Sequence, residues 1–504
     1  MKIAAITASA AALVALLSPA DAYTVTVTPS KTLMTWEGWG TSLAWWANVF
    51  GARADVADAL FSTKDAVAVK GVDAPVPGLG FNILRYNVGG TSKNSIDDSG
   101  KKRTMKASSK MPAFKEIESY WIDWFSKDPA STSWNWKADA TQRSMMTLAK
   151  ARGANIFEAF SNSPPWWMTN NGAVAGADNG KNDNLQTWNH DDFALYMATV
   201  AKHAKDNWGI TFNYVEPFNE PMATWWTFPG TQEGCHFSTA SQQSVLVSLR
   251  KHLDALGLKT MAITASDENS VDVALTSLQA LSANASAMGT VTKINTHGYD
   301  GLKPYRGKNR VPLHDLVKKL GKSLWDSEYG EDDASGLSMA ESIGLDINEL
   351  GVSAFVYWQA LDGGAWGLLQ SNPGDNWIGQ PNGKYHVLAQ YSRHIRQGMT
   401  IVSSSDKKTV VAQDGKGLLV LATVNTGSAA QTLTYDLAAY TKVGTSATVW
   451  TTVTTATGPK YVKTTLAVTG KTLAVPSPAA SVVTVEIAGM EGGGKARSFG
   501  FESV

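Results

Sequence analysis

Between residues 36 and 395, short apolar runs that end in polar or aromatic residues alternate with longer amphipathic stretches. The longer stretches, such as "DDFALYMATVAKHAKD" (191–206) and "SQQSVLVSLRKHLDALG" (241–257), have the apolar spacing of helices. Eight short runs occur, at 36–42, 80–90, 155–167, 213–221, 261–269, 291–300, 322–331 and 352–364. Eight strands alternating with helices predict an α/β fold, the (β/α)₈ TIM barrel. A doubly wound open sheet is the competing architecture, but the polar strand ends favour the barrel, which carries its functional groups there.

The helical patterns stop after about residue 399, and Thr/Val-rich alternating runs follow, such as "TVVAQDGKGLLVLATVN" and "SVVTVEIAG". Turn residues separate these runs, which predicts a C-terminal antiparallel β-sandwich. The stretch "YTVTVTPS" (23–30) has the same alternation, so we expect it to pair into the sandwich. The predicted segments are a signal peptide (1–22), an N-terminal sandwich strand (23–34), a catalytic barrel (35–397), the sandwich (398–490) and a flexible Gly-rich tail (491–504).

The first residues predict secretion. Lys2 precedes an apolar run over residues 3–17, and Ala20-Asp21-Ala22 forms a small-x-small cleavage site. The run is too short to span a bilayer, so we expect an extracellular protein without a membrane anchor. Asn284-Ala285-Ser286 is a sequon for N-glycosylation.

Charge and composition narrow the class of ligand. Lys and Arg total 44, Asp and Glu total 44, and no charged run stands out, which argues against nucleic acid and anionic membranes as partners. Tryptophan is abundant, with 19 residues, and a flat indole in a cleft can stack on the apolar face of a sugar ring. Cys235 is the single cysteine, so the chain forms no internal disulfide. We expect a monomer.

Two carboxylates lie close together in "TFNYVEPFNEPMATWW" (211–226), on the fourth predicted strand. Glu216 and Glu220 are four residues apart and therefore point to the same side of a strand. Glu220 follows Asn219 at the very end of the strand, where a catalytic group belongs. Glu216 lies deeper, where we expect a structural carboxylate paired with the inward-facing Arg85.

A glycosidase needs a second carboxyl group across the mouth of the barrel, one group protonating the leaving oxygen and the other attacking. The seventh strand, "SLWDSEYGE", offers Asp326, Glu328 and Glu331. Asp326 and Glu328 are expected to share a face, with Glu328 nearer the mouth, whereas Glu331 follows a glycine into the loop. Glu328 is therefore the predicted partner of Glu220, three βα units away.

Several motifs carry a family resemblance: "WEGWGTSLAWW", "RYNVGG", "FSNSPPWWMTNNG", "YVEPFNEP" and "QYSRHIRQG". Together they resemble glycoside hydrolase family 30 over nearly the whole mature chain. Within that family, the double tryptophans and "YVEPFNEPMATWW" are most similar to the fungal endo-β-1,6-galactanases. The resemblance implies a retaining hydrolase of β-1,6-galactan in arabinogalactan side chains, with no cofactor and no metal.

The resemblance also implies residue roles. Glu220 matches the general acid/base, Glu328 the nucleophile, and Asn219 the residue that hydrogen-bonds the sugar 2-hydroxyl. Further substrate-binding residues are expected at the other strand ends: Arg85, His297, Tyr299, Trp358 and, from two tryptophan doublets, Trp46 and Trp167. A retaining mechanism places the two catalytic carboxyls about 5–5.5 Å apart.

Other interpretations remain open at the level of sequence. The chain could belong to family 30 and cleave another sugar, such as β-1,6-glucan or a fucosylated or xylose-based chain. A barrel lectin that binds sugar without cutting is an alternative from a different class, but the presence of both Glu220 and Glu328 argues against it. Asp267 and Glu268, at the end of the fifth strand, are expected in a solvated loop.

Overall fold

The computed structural model describes residues 22–492, so residues 1–21 of the predicted signal peptide and all but the start of the predicted tail lie outside the described chain. The first strand, β1, is Ala22–Thr35. Eight strands then form the barrel: β2 Gly38–Ser42, β3 Ile83–Asn87, β4 Ile156–Phe160, β5 Tyr214–Glu216, β6 Ala262–Glu268, β7 Val291–His297, β8 Ser323–Tyr329 and β9 Ala354–Gln359.

The barrel is closed and parallel, with the strand order β8-β9-β2-β3-β4-β5-β6-β7. Each of the eight predicted runs contributes one strand, and the open-sheet alternative is excluded. Register shifts interrupt the pairing of β6 near Asp267 and of β8 between Asp326 and Glu328. These irregularities lie at the C-terminal mouth and re-aim the side chains there.

Helices follow the strands and cover the barrel: α1 Trp46–Phe50, α2 Ala54–Phe61, α3 Ala140–Lys150, α4 His190–His203, α5 Thr239–Ala255, α6 Val271–Ser282, α7 Ala285–Thr290, α8 Pro304–Gly307, α9 Arg310–Lys319, α10 Leu337–Leu345 and α11 Gly383–Ser392. Local sequence explains several boundaries. The Ser238 hydroxyl accepts a hydrogen bond from the amide of Ser241 and caps α5, and a π-helical turn ends α4 at Gly209, which has a φ of 65°. No helix within residues 22–492 combines the length and apolar character that a bilayer crossing requires.

The long βα connections carry short strands of their own. A hairpin of Ile96–Asp98 and Lys101–Arg103 follows β3. A three-stranded sheet follows β9, formed by Leu361–Asp362, Leu369–Asn372 and Trp377–Pro381. This insertion after β9 brings Trp366 to the mouth of the barrel.

The remaining strands are β10 Thr400–Ser404, β11 Thr409–Gln413, β12 Leu418–Asn425, β13 Gln431–Asp436, β14 Ser446–Val453, β15 Val462–Ala467, β16 Thr472–Ser477 and β17 Ser481–Ala488. Their hydrogen-bonded order is β15-β14-β17-β12-β11-β10-β1-β13-β16, and the layers enclose a core of Val, Leu and Tyr residues. Strand β1 belongs to this domain, as predicted: Val25 and Val27 point into the core while the intervening threonines are exposed. It pairs parallel with β13 and antiparallel with β10, so the sandwich is not wholly antiparallel.

Helix α11 and the segment after it dock the barrel onto the sandwich. The Gln390 side chain donates to the Thr452 hydroxyl over 2.8 Å, and the backbone carbonyl of Gln390 accepts from the Thr484 hydroxyl. His394 Nδ1 lies 2.7 Å from Glu486 Oε1, and its ring packs against Trp450. The described parts of the two domains therefore share a specific polar interface beside their separate apolar cores.

The interior of the barrel contains several ionisable side chains. Arg85, Glu158, Glu216, Asp267 and Lys293 are all fully buried. Buried charges are costly unless they are paired and hydrogen-bonded, so such a set indicates a site that the fold maintains at the expense of stability.

Candidate active site

Glu220 and Glu328 face each other at the C-terminal mouth of the barrel. Glu220 follows β5, the fourth barrel strand, and Glu328 lies near the end of β8, the seventh. Carboxylate oxygens of the two residues lie within 4.8 Å of each other, and the residues are 6% and 3% exposed. Both line a cleft of about 470 Å³ together with Asn219, Tyr299 and Trp358. The fourth and seventh strands thus bring together the two carboxylates that the sequence singled out.

Glu328 is held at both carboxylate oxygens. Arg85 donates from Nη1 to Oε2 over 2.6 Å, and the Tyr299 hydroxyl donates to Oε1 over 2.7 Å. Burial raises the pKa of Glu328, while the charges of His297 and Arg85 oppose that rise. The two donors fix the orientation of the carboxylate and favour its ionised form, which is the form that attacks an electrophile.

Glu220 is held at one oxygen only. Its Oε1 accepts from Asn269 Nδ2 over 3.0 Å and lies 3.1 Å from His297 Nδ1. Among residues 22–492 no group donates to the other oxygen, Oε2, which leaves that atom free to exchange a proton with a molecule in the cleft. The residue has a φ of 47°, and its amide donates to the carbonyl of Asp267 over 2.8 Å, so the backbone holds an uncommon conformation at this position.

Asp267 connects the supports of both glutamates. It forms an ion pair with Arg85, and its Oδ1 lies 3.2 Å from His297 Nε2. Burial raises the pKa of a carboxyl, but Arg85 and His297 hold the pKa of Asp267 below its ordinary value. Burial likewise opposes a charge on His297, yet Glu328 and Asp267 raise the pKa of its ring well above the usual 6.5.

These contacts correct two expectations about carboxylates. Asp267 and Glu268 are fully buried rather than solvated, because Asp267 takes a φ of 62° and turns inward at the register shift of β6. Arg85 pairs with Glu158, Asp267 and Glu328 rather than with Glu216. Glu216 is nevertheless deep in the barrel, and burial raises its pKa well above the usual value, which favours the neutral form.

The register shift in β8 corrects a third expectation, which concerns Asp326 and Glu328. Asp326 and Glu328 do not share a face, because the alternation breaks between them. Asp326 is buried beside Asp346, to whose Oδ1 Arg310 donates over 2.7 Å. Glu328 alone faces the cleft.

The structure divides the predicted substrate-binding residues into those that line the cleft, those buried behind it, and two tryptophans that lie elsewhere. Asn219, Tyr299 and Trp358 line the cleft, and the side-chain oxygen of Asn219 has no partner within the described chain. Arg85 and His297 are completely buried behind Glu220 and Glu328, so they contact these carboxylates and Asp267 rather than a ligand in the cleft.

The predictions for Trp46 and Trp167 are wrong. Trp46 has no exposed surface, and its indole N–H donates to the Ser42 carbonyl over 2.7 Å. Trp167 lies under the loops and donates to the Trp121 carbonyl over 3.0 Å, outside the cleft. Trp46 has no accessible ring surface, and Trp167, although 7% exposed, does not line the cleft, so neither can stack on a sugar bound there. The doublet "WW" alone does not show which indole faces outward.

The sequence reasoning missed Asn269 and Trp366, which line the cleft, and gave no role to Asp267. Asn269 directly follows β6, and its side-chain oxygen accepts from Arg306 in a short hydrogen bond. A strand-end position was the available signal for Asn269. Trp366 lies in a glycine-rich loop that follows no strand-end pattern.

Glu220, His297 and Glu328 form the one group within residues 22–492 whose donor atoms approach closely enough to ligate a metal. The raised pKa of His297 favours a protonated ring, which has no lone pair to offer. The arrangement therefore suits chemistry between two carboxyl groups better than metal ligation.

A carboxyl pair at close spacing, on the fourth and seventh strands of a (β/α)₈ barrel and open to an aromatic-lined cleft, defines a glycoside hydrolase. Comparison with known proteins identifies the family. The model of O-glycosyl hydrolase family 30 matches residues 22–287. The chain is 48% identical over 416 residues to an endo-β-1,6-galactanase of Hypocrea rufa, covering 82% of this chain and 83% of that one. The protein belongs to glycoside hydrolase family 30.

Two more distant relatives are informative. An exo-β-1,6-galactobiohydrolase of Bifidobacterium longum is 25% identical, and the match covers 85% of this chain and 36% of that one. The catalytic domain of family-30 xylanase C from Talaromyces cellulolyticus superposes with a TM-score of 0.68 at 22% identity, covering 92% of this chain and 100% of that one. The latter likeness supports the fold alone.

Proposed function

We propose that the protein is a secreted, monomeric, retaining endo-glycosidase that hydrolyses β-1,6-galactosidic bonds in arabinogalactan side chains. The proximity of Glu220 and Glu328 carries the proposal. Their oxygens lie within 4.8 Å. That approach fits the spacing of about 5–5.5 Å between carboxyl groups in retaining enzymes, whereas inverting enzymes need about 6.5–9.5 Å to admit water. The similarity to the Hypocrea rufa enzyme supports β-1,6-galactan as the substrate.

In the first step Glu328 attacks the anomeric carbon, and the bond from that carbon to the leaving oxygen breaks. Glu220 gives its proton to the leaving oxygen, so the departing chain ends in a hydroxyl and the retained sugar is esterified to Glu328. Oε2 of Glu220 is the atom for this transfer, because Oε1 is occupied by Asn269 and His297. Asn219, whose side-chain oxygen is free, accepts a hydrogen bond from the 2-hydroxyl as the ring becomes oxocarbenium-like.

In the second step Glu220, now a carboxylate, takes a proton from water while the water oxygen attacks the anomeric carbon. The ester bond breaks and Glu328 recovers its negative charge, which Arg85 and Tyr299 stabilise. Two inversions leave the configuration unchanged. The product is therefore first formed as the β-anomer.

Substrate panels test the specificity. The purified protein is incubated with β-1,6-galactan, β-1,6-glucan and xylan, and the products are sized. We expect short galacto-oligosaccharides from galactan alone; release from glucan or xylan in place of galactan would overturn the specificity. Proton NMR of the first minutes of hydrolysis tests the stereochemistry, and early appearance of the α-anomer would overturn retention.

Variants test the residue roles. Glu220→Gln and Glu328→Gln should each abolish turnover of galactan while leaving binding nearly intact, because the side chains keep their shape. Removal of Glu328 as Glu328→Gly with added azide should give the α-galactosyl azide, whereas Glu220→Gly with azide and an activated substrate should give the β-galactosyl azide. Normal cleavage by either glutamine variant contradicts the assignment.

The segments and modifications belong to the same proposal. We infer removal of residues 1–22 on export, a catalytic barrel over 35–397 and a bracing sandwich over 23–34 and 398–490. Asn284 caps α7 through its side-chain oxygen, which accepts from the Ala287 amide over 3.1 Å. Its side-chain nitrogen, the atom that would be glycosylated, donates to Gln243 Oε1 over 3.3 Å. Intact mass before and after glycosidase treatment of the secreted protein tests cleavage and glycosylation together.

A further inference from the structure

Two tryptophans of the cleft offer open ring surface. Trp366 is 38% exposed and Trp225 is 50% exposed, and both line the cleft that contains the catalytic pair. The other two indoles of the cleft, Trp226 and Trp358, are only 7% and 8% exposed. The exposed pair therefore supplies the largest indole surfaces that a ligand in the cleft can cover.

Trp366 lies on the side of the cleft that carries Glu328, the proposed nucleophile. Its ring lies over Gly330, two residues beyond Glu328, where an added Cβ would come within 2.9 Å of an indole carbon. The Tyr299 ring, whose hydroxyl donates to Glu328, is 6.3 Å away. The Tyr357 hydroxyl donates to the Trp366 carbonyl from β9. Both the ring and the backbone are thus fixed beside Glu328, and the missing side chain of Gly330 allows the close approach.

Trp225 lies on the side of the cleft that carries Glu220, the proposed acid. Its ring packs at 63° against Trp226, with 6.0 Å between centroids, and the Trp226 indole donates to the carbonyl of Glu220 over 3.0 Å. The loop that carries both rings is tied to the barrel by Glu233, which accepts from the Gly90 amide over 3.1 Å. Trp225 is therefore placed with respect to Glu220 rather than Glu328.

In double displacement the sugar bound to the nucleophile is retained, and the sugar whose oxygen the acid protonates leaves. We propose that Trp366 stacks on a galactose of the retained part of the substrate and Trp225 on a galactose of the leaving part. The axial 4-hydroxyl of galactose leaves the opposite face of the ring as a patch of C–H groups, which suits an indole. With a platform on each side of the bond, the enzyme cleaves inside the chain. This inference rests on the proposed function.

Two substrates distinguish the contribution of Trp366 from that of Trp225. A β-1,6-galacto-oligosaccharide fills both sides of the cleft, whereas β-1,6-galactobiosyl fluoride fills only the retained side, since fluoride has no ring to stack. Trp366→Ala should lower kcat/KM about tenfold on both substrates, the factor that corresponds to about 1.4 kcal/mol. Trp225→Ala should lower it about tenfold on the oligosaccharide and leave the fluoride unaffected. Trp366→Phe, which keeps an aromatic face, should recover most of the loss.

Trp188→Ala is the matched control, because Trp188 is 72% exposed in the turn Thr187–Asn189 and lies outside the cleft. It should change neither kcat/KM. Equal losses of Trp225→Ala on the two substrates, or values for both cleft variants equal to those of Trp188→Ala, would overturn the inference. Failure of the proposed function would show differently, as a wild-type protein that cleaves neither the oligosaccharide nor the fluoride.

Discussion

Arg85 and Asp267 form an ion pair that solvent does not reach, beneath the carboxylates of Glu220 and Glu328. The same guanidinium donates to Glu328, and the same aspartate lies beside His297, which contacts Glu220. One buried pair thus organises the supports of both proposed catalytic residues. Such an arrangement orients charge before the substrate binds, which is the condition for electrostatic catalysis.

The first prediction concerns Asp267→Asn. Removing its charge releases Arg85 and His297 from their common anion, so both glutamates lose their fixed geometry and kcat should fall roughly 100-fold. The free energy of unfolding should also fall by about 3 kcal/mol, since Arg85 loses a partner in the interior.

Asp346→Asn is the matched control for this change. It breaks another buried pair, with Arg310 Nε at 2.7 Å, away from the cleft. It should cost similar stability in a urea titration and leave kcat of the folded protein unchanged. An Asp267→Asn enzyme with wild-type kcat would show that Asp267 has only a structural role.

The second prediction concerns the pH dependence of stability. Burial raises the pKa of Glu268 to about 8, so the folded protein holds a proton that the unfolded chain releases near its ordinary value of 4.5. The folded state therefore binds more protons between about pH 4.5 and 8, and stability falls as the pH rises through that window. The variant Glu268→Gln should remove this contribution to the fall of stability with rising pH.

Midpoints of urea unfolding at pH 5, 6, 7 and 8 measure the effect. The wild-type midpoint should fall across the series, and the Glu268→Gln midpoint should fall less, with the two converging at low pH. Glu349→Gln on the surface, at the π-helical segment Asp346–Leu350, serves as a charge-matched comparison. Parallel curves for wild type and Glu268→Gln would contradict the prediction.

Asn269 provides the third prediction. It donates to Glu220 Oε1 over 3.0 Å and is itself oriented by Arg306. Asn269→Ala should free the Glu220 carboxyl to rotate and slow proton delivery to the leaving oxygen. Hydrolysis of galactan should fall about tenfold, which corresponds to the loss of one hydrogen bond to the Glu220 carboxyl. An activated dinitrophenyl galactoside, which leaves without a proton, should react in the first step at the wild-type rate. Equal losses on both substrates would assign Asn269 to binding instead.

Regular periodicity made much of this molecule predictable. Eight apolar runs with polar ends indicated the barrel, and the Thr/Val alternation of β1 indicated its place in the sandwich. Glu220 and Glu328 followed because strand ends converge at the mouth of a barrel.

The errors lie where periodicity breaks. At Asp267 a left-handed residue and a register shift turn a predicted loop carboxylate into the interior. In β8 the shift between Asp326 and Glu328 separates two residues that simple alternation places together. Such irregularities depend on tertiary contacts, which a single sequence does not display.

Trp46 and Trp358 give the last prediction, because these two tryptophans, both expected at strand ends to bind substrate, occupy different environments in the structure. Trp46 is fully buried, whereas Trp358 faces the cleft and packs edge-on against Trp45 at 5.0 Å. Trp46→Ala should therefore lower the free energy of unfolding by about 3–5 kcal/mol, the usual cost of removing a large buried side chain. The kcat of the protein that remains folded should stay close to that of the wild type.

Trp358→Ala should have the opposite effect, with a large loss of activity and a smaller loss of stability. It removes a wall of the cleft, so kcat/KM on galactan should fall by more than tenfold. The urea midpoint should shift less than for Trp46→Ala, because Trp358 borders the cleft in a small cluster of buried residues, whereas Trp46 packs in the main core. Both variants are assayed at a temperature where each is folded by circular dichroism. If Trp46→Ala lost activity while keeping its stability, the indole of Trp46 would have to reach the substrate, contrary to the packing seen here.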